Sequence, residues 1–253
     1  MRAIFMKQIA HILSYPFSVL FYFLFGFVLI IFHPIQWVCF NVFGYQAHKK
    51  SVDYLNFFIL VCLRVLGTTF QFKVPKNLPK DAPIIVVSNH QSLWDIPPII
   101  WYLRKIHPKF VSKFELGRGI PSVSYNLRHG GAILIDRKNP KQALFEMLKF
   151  SDYLSKTKRS GVIFPEGTRS RTGEAKRFQR KGLELLFKKI PEAYVLPITI
   201  NNSWKLQRYG MFPMPLGVKI KYTLHPVLKI SDFDKSVLID TIEAQIKSDI
   251  LPK

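Results

Sequence analysis

His90 and Asp95 are the residues whose types and spacing most directly indicate chemistry, because they lie five positions apart, directly after the β-branched run 84–87. A strand that ended at 88–89 and turned into a helix would bring both side chains to the edge of a sheet. There the carboxylate could orient the imidazole, which would act as a general base on a hydroxyl group without any nucleophilic residue. Histidine and aspartate also cap turns and helices, so a purely structural role is the alternative.

Ser92 lies between these two residues and raises the alternative of a serine hydrolase. Such enzymes present the nucleophilic serine on a sharp turn with the sequence G-x-S-x-G. The chain contains no such sequence, and one residue alone separates Ser92 from His90. We therefore interpret Ser92 as a local hydrogen-bonding residue.

The segment around His90 is the first of several short segments within residues 84–200. Their order along the chain and the distances between them form a recognisable pattern. They read NHQSLWD at 89–95, KFEL at 113–116, GAILIDR at 131–137, FPEGTRS at 164–170 and VLPI at 195–198. This set resembles the sequence blocks of the glycerolipid acyltransferases. The resemblance is greatest to lysophosphatidate (1-acylglycerol-3-phosphate) O-acyltransferases of the PlsC type.

The resemblance implies acyl transfer from a thioester to the sn-2 hydroxyl of 1-acylglycerol-3-phosphate, which forms phosphatidic acid. His90 would take the hydroxyl proton, and Asp95 would hold the ring and stabilise the imidazolium. No acyl-enzyme is required. The family also suggests that Lys113 stabilises the oxyanion of the thioester carbonyl, although an exposed lysine at a strand end is an equally ordinary interpretation.

An acceptor that carries a phosphate would need cationic donors, and the matched segments contain them. Arg137 follows the predicted strand 132–136 and Arg169 follows the predicted strand 162–164, so both fall at the sheet edge where ligands bind. A guanidinium can hold phosphate through two parallel hydrogen bonds. Glu166 would bind the glycerol hydroxyl or fix the arginines, Gly167 would let the backbone approach the ligand, and Thr168 completes the predicted binding segment.

The acyl donor is indicated by charge alone. Residues 169–181 contain six Lys or Arg and a single acid, Glu174. This basic segment would attract acyl-CoA, an acidic acyl carrier protein or anionic lipid.

The cysteines give no sign of a metal site. Cys39 and Cys62 show neither CxxC spacing nor paired histidines, which argues against a structural zinc site and for a reducing compartment. We expect no cofactor other than the acyl thioester substrate.

The amino-terminal region predicts a membrane segment. Residues 8–48 contain no Lys, Arg, Asp or Glu. A helix over 9–32 would extend about 36 Å, enough to cross a hydrocarbon core of about 30 Å. A secretory signal is the competing interpretation, but its apolar core should run about 7–15 residues and end in an A-x-A-like site, and neither condition is met.

Pro34 is expected to interrupt this helix, which would leave 35–47 too short to cross. Basic residues flank the region on both sides: Arg2, Lys7, Lys49 and Lys50. Both flanks would lie on the cytoplasmic side if the segment formed a re-entrant helical pair. The sequence therefore predicts a membrane segment at 1–50 as a single helix or a re-entrant pair, a catalytic domain at 51–253, and the cytoplasmic face of the cell membrane as the location.

The remaining chain alternates short β-branched runs with amphipathic segments, which predicts an α/β fold. Its mixed β-sheet, flanked by helices, would be like that of glycerol-3-phosphate acyltransferase, with the membrane-embedded helical segment at the amino terminus. A helix at 53–66 would be the first to pack on the domain, and 75–83 would be a connector. Strands are predicted at 84–88, 110–113, 132–136, 162–164, 194–200 and 218–224; helices are predicted at 93–103, 140–155, 178–189 and near the carboxy terminus, with Leu238, Ile242, Ile246 and Ile250 on one face.

One segment departs from the family pattern and leaves the acceptor open. Residues 201–205 read NNSWK instead of the usual glycine-bearing continuation, in a region that shapes the acceptor pocket of relatives. Another lyso-lipid acceptor therefore stays an alternative. The net charge of +21 also admits a non-enzymatic, basic membrane-surface or nucleic-acid-binding protein. The absence of a recognisable nucleic-acid-binding motif makes this a distant alternative, and we expect no nucleic-acid partner.

Overall fold

The computed structural model describes residues 2–252, apart from the side chains of 2–5 and 7, so the basic flank formed by Arg2 and Lys7 lies outside the described side chains. The first element is a long helix, α1, over Arg2–Val65. It runs through Pro16 and Pro34 and bends at Gly44, where φ is 77° and ψ is −171°. The expected interruption at Pro34 is therefore wrong. Proline removes one backbone hydrogen bond, which a long helix can absorb, whereas the backbone at Gly44 leaves helical geometry altogether.

The bend divides α1 into a first arm, 2–43, and a second arm, 45–65. The second arm includes the helix predicted at 53–66 and buries Leu55, Ile59 and Leu63 against the α/β domain. Each such burial contributes about 1.5–3 kcal/mol, so this arm is an integral part of the domain. The first arm exposes large apolar side chains along much of its length. By length and composition α1 could cross a membrane from Gln8 onward, and 17% of its most apolar window is buried within the protein.

In the part of the chain that the structure describes, eight strands form one mixed sheet, which confirms the predicted α/β architecture. The order is β1-β7-β6-β2-β5-β3-β4, with β8 beside β6. β7 and β8 run antiparallel to β6, and the other pairs are parallel. The strands are β1 Thr69–Phe72, β2 Ile84–Ser88, β3 Lys109–Lys113, β4 Ile133–Ile135, β5 Gly161–Ile163, β6 Tyr194–Asn201, β7 Lys219–Leu224 and β8 Leu228–Lys229.

Among residues 2–252, five further α-helices cover the two faces of the sheet. They are α2 Ile96–Tyr102, α3 Val123–His129, α4 Pro140–Thr157, α5 Arg180–Lys189 and α6 Lys235–Ser248. The predicted helices agree with α2, α4, α5 and α6, and the predicted connector at 75–83 contains no helix or strand. α3, β1 and β8 were not predicted. β1 has a half-exposed alternating pattern, and β8 is two residues long, so neither carries a strong apolar signal.

Side chains of the central strand β2 alternate between two cores. Ile84 and Val86 pack with α1 and α2 on one face, and Ile85 and Val87 pack with α4, α5 and α6 on the other. This alternation follows from the two-residue period of a strand. Because β2 is buried on both faces and paired on both edges, the segment that follows it begins from a rigid position.

Candidate active site

The His90–Asp95 pair lies in the turn that connects β2 to α2. A short 3₁₀ turn at Leu93–Asp95 leads directly into α2, and the turn brings Asp95 Oδ2 to 2.8 Å from His90 Nδ1. Since a carboxylate accepts the hydrogen bond, Nδ1 is the donor, and in the neutral tautomer that fits this contact the lone pair is on Nε2. This is the arrangement that a general base requires.

The Asp95 carboxylate is fully buried and fixed by the backbone of the same turn. Oδ2 accepts hydrogen bonds from the amides of Gln91, at 2.7 Å, and Ser92, at 2.9 Å. Ser92 Oγ accepts a hydrogen bond from the Trp94 amide at 3.1 Å and is itself fully buried. Ser92 is therefore a capping residue of the turn, as its interpretation from sequence required.

The His90 ring lies against the segment that carries the third matched block. It stacks on Phe164, with ring centroids 4.1 Å apart and planes 14° apart, and its side chain is 16% exposed. The His90 carbonyl accepts a hydrogen bond from the Ser170 amide at 2.7 Å. The first and third blocks, about eighty positions apart in sequence, thus form one unit.

Two residues that were not singled out from the sequence connect this unit to β6. The Asn89 side chain donates to the Ile200 carbonyl at 2.8 Å and accepts from the Ile200 amide at 2.7 Å. Gln91 Oε1 accepts from the Ser203 amide at 3.0 Å. Their position could have been recognised in the sequence, because both residues follow a buried strand and buried polar side chains need hydrogen-bond partners.

Residues 201–205 therefore support the His90 turn from behind. They are not among the residues that line the cavity that His90 faces, and their expected part in shaping an acceptor pocket stays a prediction. Asn201 instead binds the carboxy-terminal segment, because its side chain donates to the Asp249 carbonyl and accepts from the Leu251 amide, each at 2.8 Å.

A cavity of about 1870 Å³ opens in front of His90. Apolar side chains from α1, α2 and α3 form part of its wall, and basic side chains line another part. Its lining includes six of the eight predicted site residues: His90, Lys113, Arg137, Gly167, Thr168 and Arg169. Asp95 lies behind His90. The fold thus places an imidazole, the three predicted cations Lys113, Arg137 and Arg169, further Lys and Arg side chains and a long apolar surface around one space, which suits an amphiphilic anion.

The segment 164–170 takes its shape from Gly167 and Lys176. Gly167 adopts a φ of 70°, which favours glycine, and its amide donates to the Phe164 carbonyl at 3.0 Å. Lys176 Nζ donates to Thr168 Oγ1 at 2.8 Å and to the Arg169 carbonyl at 2.9 Å. Lys176 counted only as one of six cations in the sequence, and nothing there distinguished it as the residue that holds this loop.

Glu166 lies inside the same loop and is not part of the cavity lining. It is 4% exposed, and its carboxyl oxygens make no hydrogen bond of ordinary geometry among the described residues, although the backbones of Lys176 and His90 lie close enough to act on it. Burial raises the pKa of this carboxyl to about 7, against the opposing influence of the Lys176 and His90 backbones and the Lys176 ammonium. The sequence predicted that Glu166 binds the glycerol hydroxyl or fixes the arginines. Its carboxyl lies outside the cavity lining and has no bond to an arginine among the described residues, so both roles stay predictions.

The described part of the chain contains no group of three or more His, Cys, Asp or Glu placed to hold a metal ion. Cys39 is half-buried and Cys62 is buried, and neither is in a disulfide.

A mixed sheet that presents a His-Asp pair to a basic, partly apolar cavity defines an enzyme class, and the comparisons with known proteins agree. Residues 69–201, just over half of the chain, match the sequence model of the Acyltransferase family. The chain therefore belongs to the acyltransferase family and is an enzyme of that family.

Individual relatives show which acyltransferases the chain is similar to. The chain is 28% identical over 191 residues to the 1-acyl-sn-glycerol-3-phosphate acyltransferase of Borreliella burgdorferi, covering 74% of each chain. It is 28% identical over 213 residues to the protein of the same name from Pseudomonas aeruginosa, covering 82% of this chain and 80% of the relative. The crystal structure of PlsC from Thermotoga maritima has the same fold, with a TM-score of 0.77 at 24% identity over 96% of both chains.

Proposed function

We propose that this enzyme transfers an acyl chain from an acyl thioester to the sn-2 hydroxyl of 1-acylglycerol-3-phosphate and so forms phosphatidic acid. The observation that carries the proposal is the 2.8 Å contact between His90 Nδ1 and Asp95 Oδ2 beside a cavity lined by Arg137 and Arg169. The names of the two bacterial relatives support the choice of acceptor. Phospholipid synthesis is then the process that the enzyme serves.

In the proposed reaction, His90 Nε2 takes the proton of the acceptor hydroxyl as its oxygen attacks the thioester carbonyl. Lys113 Nζ stabilises the oxyanion that forms, and the C–S bond then breaks. The imidazolium returns its proton to the leaving thiolate, so the enzyme ends unchanged. Asp95 stabilises the imidazolium during the step.

The acceptor is held by its phosphate in this proposal. Arg137 and Arg169 are both exposed and both line the cavity, so their guanidinium groups are available to a ligand. Gly167 and Thr168 lie on the cavity wall next to Arg169, where a headgroup held by that arginine would contact them. Glu166 supports this loop from within. The reaction needs no cofactor, because the thioester supplies the free energy.

We further propose that residues 1–50 attach the chain to the cytoplasmic face of the cell membrane and that residues 51–253 form the catalytic domain. The exposed apolar side chains of the first arm of α1 support this division. Acyl-CoA and acyl carrier protein are both anionic, and the cations of the 169–181 segment suit either donor. Comparing the two donors on one acceptor separates them.

The test is acyl transfer by purified protein in phospholipid vesicles, with labelled acyl donor and lysophosphatidate. His90→Ala should lower kcat by about 10²–10⁴-fold, since a positioned general base contributes a factor of that size. Asp95→Ala should also lower kcat strongly, because the ring loses its orienting partner. A panel of other lyso-lipids, read by mass spectrometry, tests the choice of acceptor.

His225→Ala is the matched control, because His225 bonds Thr199 Oγ1 at 2.8 Å and lies outside the cavity. It should retain wild-type activity. Full activity of the His90→Ala protein would refute the mechanism, and a preference for another lyso-lipid would replace the acceptor while leaving the chemistry intact.

A further inference from the structure

A second group of titratable side chains lines the same cavity at a distance from His90. The group comes from the start of the second arm of α1 and from the beginning of β3 with the residues just before it: His48, Lys49, Asp53, His107 and Lys109. We call the part of the cavity that these five residues line the Lys109 pocket. None of them belongs to a sequence block that resembled the family.

The Lys109 pocket lies well away from the catalytic pair along the direction of the strands. Lys109 pairs with Gly161, and Gly161 pairs with Ile85, so Lys109 is level with a residue five positions before His90. At about 3.3 Å per residue, five positions correspond to about 16 Å. β3 lines the cavity over its whole length, from Lys109 to Lys113, so the pocket and His90 border one space. An acceptor whose hydroxyl meets His90 cannot reach this pocket with its phosphate, because only a few bonds separate the two groups.

Lys109 is a buried cation that has no anionic partner among the described residues. It is 8% exposed, and its ammonium lies 5.1 Å from the centroid of the Tyr45 ring without a hydrogen bond to any described residue. Asp53 is close enough to act on it, but its carboxylate is bonded to Lys49 Nζ at 2.5 Å. Arg159 adds a further positive charge, 3.8 Å from the centroid of the same tyrosine ring. Burial, followed by the charges of Arg159 and Lys49, lowers the pKa of Lys109 to about 7. A buried cation without a counter-charge costs free energy, so the pocket favours an anion.

Two imidazoles beside Lys109 are also available to a ligand. His48 is 1% exposed, and neither of its ring nitrogens is hydrogen-bonded among the described residues. The same holds for the buried Nδ1 of His107. Both rings are close enough to the Lys109 ammonium to interact with it electrostatically. Since a neutral imidazole can donate one N–H, an anion beside Lys109 would find hydrogen-bond donors as well as charge.

The surroundings favour the carboxylate of a single-chain lipid over other anions. A monoanion balances the one buried ammonium, whereas a phosphate dianion would bring a further charge out of water. Apolar side chains of α1, β3 and α3 line the same cavity: Val52, Leu55, Val111, Val123 and Leu127. A fatty acid matches both parts of this space, with its carboxylate at Lys109 and its hydrocarbon chain along the apolar wall.

We propose that the Lys109 pocket binds the carboxylate of a long-chain fatty acid, whose hydrocarbon chain extends through the cavity toward His90. The binding itself does not depend on the proposed function. Its consequence rests on that function, because a chain in this position occupies the apolar space that an acyl substrate needs and so inhibits acyl transfer. Free fatty acid would then slow the enzyme when it accumulates.

Direct binding tests the site without any reaction. The purified full-length chain in detergent is titrated with palmitate and with hexadecanol, which has the same chain length but no charge, and the heat is measured by calorimetry. The wild-type chain should bind palmitate at least about tenfold more tightly, because only palmitate makes charge-assisted hydrogen bonds. Lys109→Met keeps the length of the side chain and removes its charge, so this variant should bind the two ligands equally.

Two further variants separate the pocket from effects of charge and folding. Lys105→Met is the matched control, because Lys105 is exposed and lies outside the cavity lining, and it should keep the wild-type preference for palmitate. His48→Phe keeps a ring beside Phe40 and Tyr125, whose centroids lie 5.4 and 5.8 Å from that of His48, but removes both nitrogens. It should weaken the preference by a smaller factor than Lys109→Met, and it decides the question if Lys109→Met does not fold.

Inhibition is measured as acyl transfer in vesicles to which palmitate is added. Palmitate should raise the KM for the acyl donor and leave kcat unchanged. The inhibition constant of palmitate should rise about tenfold or more in Lys109→Met, in step with the loss of binding. Hexadecanol should inhibit wild type and variant to the same extent.

Equal affinity of the wild-type chain for palmitate and hexadecanol would overturn the site, and so would a preference that survives in both Lys109→Met and His48→Phe. Acetate or inorganic phosphate that binds as tightly as palmitate would overturn the assignment to a lipid. Palmitate that binds without raising the KM for the donor would overturn the inhibition. A wild-type chain that binds palmitate selectively but transfers no acyl chain would support the site and refute the proposed function.

Discussion

His90 is oriented by contacts that are almost all local. Asp95 reaches it because two backbone amides, of Gln91 and Ser92, hold the carboxylate in the same turn. The five-residue spacing therefore requires a tight turn rather than a continuous helix, and the structure contains that turn. Phe164 is the exception, because its stacking on the imidazole comes from a distant part of the chain.

Glu166 provides a pH-dependent test at the residue scale. Burial raises its pKa from an ordinary value of 4.5 to about 7, so the native state keeps a proton that the unfolded state releases. The contribution of Glu166 to stability therefore falls as the pH rises from about 4.5 to about 7 and stays low above that. Glu166→Gln removes the ionisation, and its thermal midpoint relative to wild type should be higher at about pH 8 than at about pH 5.

Thermal denaturation in the same detergent or lipid, followed by circular dichroism, measures this difference. Glu115→Gln is the control, because Glu115 is exposed and should not change the pH dependence. A constant difference between the Glu166→Gln and wild-type midpoints across this pH range would contradict the assigned ionisation.

The bend in α1 is a property of the element rather than of a catalytic residue. Gly44 has a φ of 77° and a ψ of −171°, a combination open essentially to glycine alone. The bend separates the exposed first arm from the second arm, which is packed on the sheet. It therefore sets how the first arm lies along the α/β domain, against which Phe21 and Leu29 are buried.

Gly44→Ala should destabilise the protein by about 1–3 kcal/mol, because alanine cannot adopt this backbone conformation without strain. Gly26→Ala is a matched control in the same helix, with open space around the added methyl group, and it should stabilise the helix by about 0.5–1 kcal/mol. The thermal midpoint and the acyl-transfer activity in vesicles are measured for both variants and compared with those of the wild type. Equal effects of the two substitutions would show that the bend is not required.

Strand and helix prediction succeeded where residues carry a strong local pattern. β2 was predicted with its observed ends because four β-branched residues precede a polar Ser-Asn pair. The continuation of α1 past Pro34 was missed, because local rules treat proline as a stop and give no weight to the apolar run on either side. β1 was missed as well, since its pairing with β7 and not its own pattern makes it a strand.

The charge of the whole molecule predicts how it uses a membrane. Because the chain has a net charge of +21 and an exposed apolar arm, we expect it to combine attraction to anionic lipid with apolar insertion. Each cation near an anionic surface contributes about 1 kcal/mol, and salt screens this attraction.

Vesicle sedimentation should therefore show tighter binding when phosphatidylglycerol is added to phosphatidylcholine, and the gain should disappear in concentrated salt. Binding to pure phosphatidylcholine should change little with salt, because it depends on apolar contact. Equal affinity for both lipid compositions at low salt would show that the positive charge serves another ligand.

The sequence by itself determined the family, the order of the blocks and the α/β architecture, because each depends on residues a few positions apart or on periodicity along one element. Tertiary structure decided which side chains face the cavity. The tertiary structure buried Glu166, placed residues 201–205 behind the His90 turn, and packed residues 208–213 against α1. Ser18 and Met214 are 196 residues apart, and a contact at that separation is specified by the packing of the whole chain and by no local pattern.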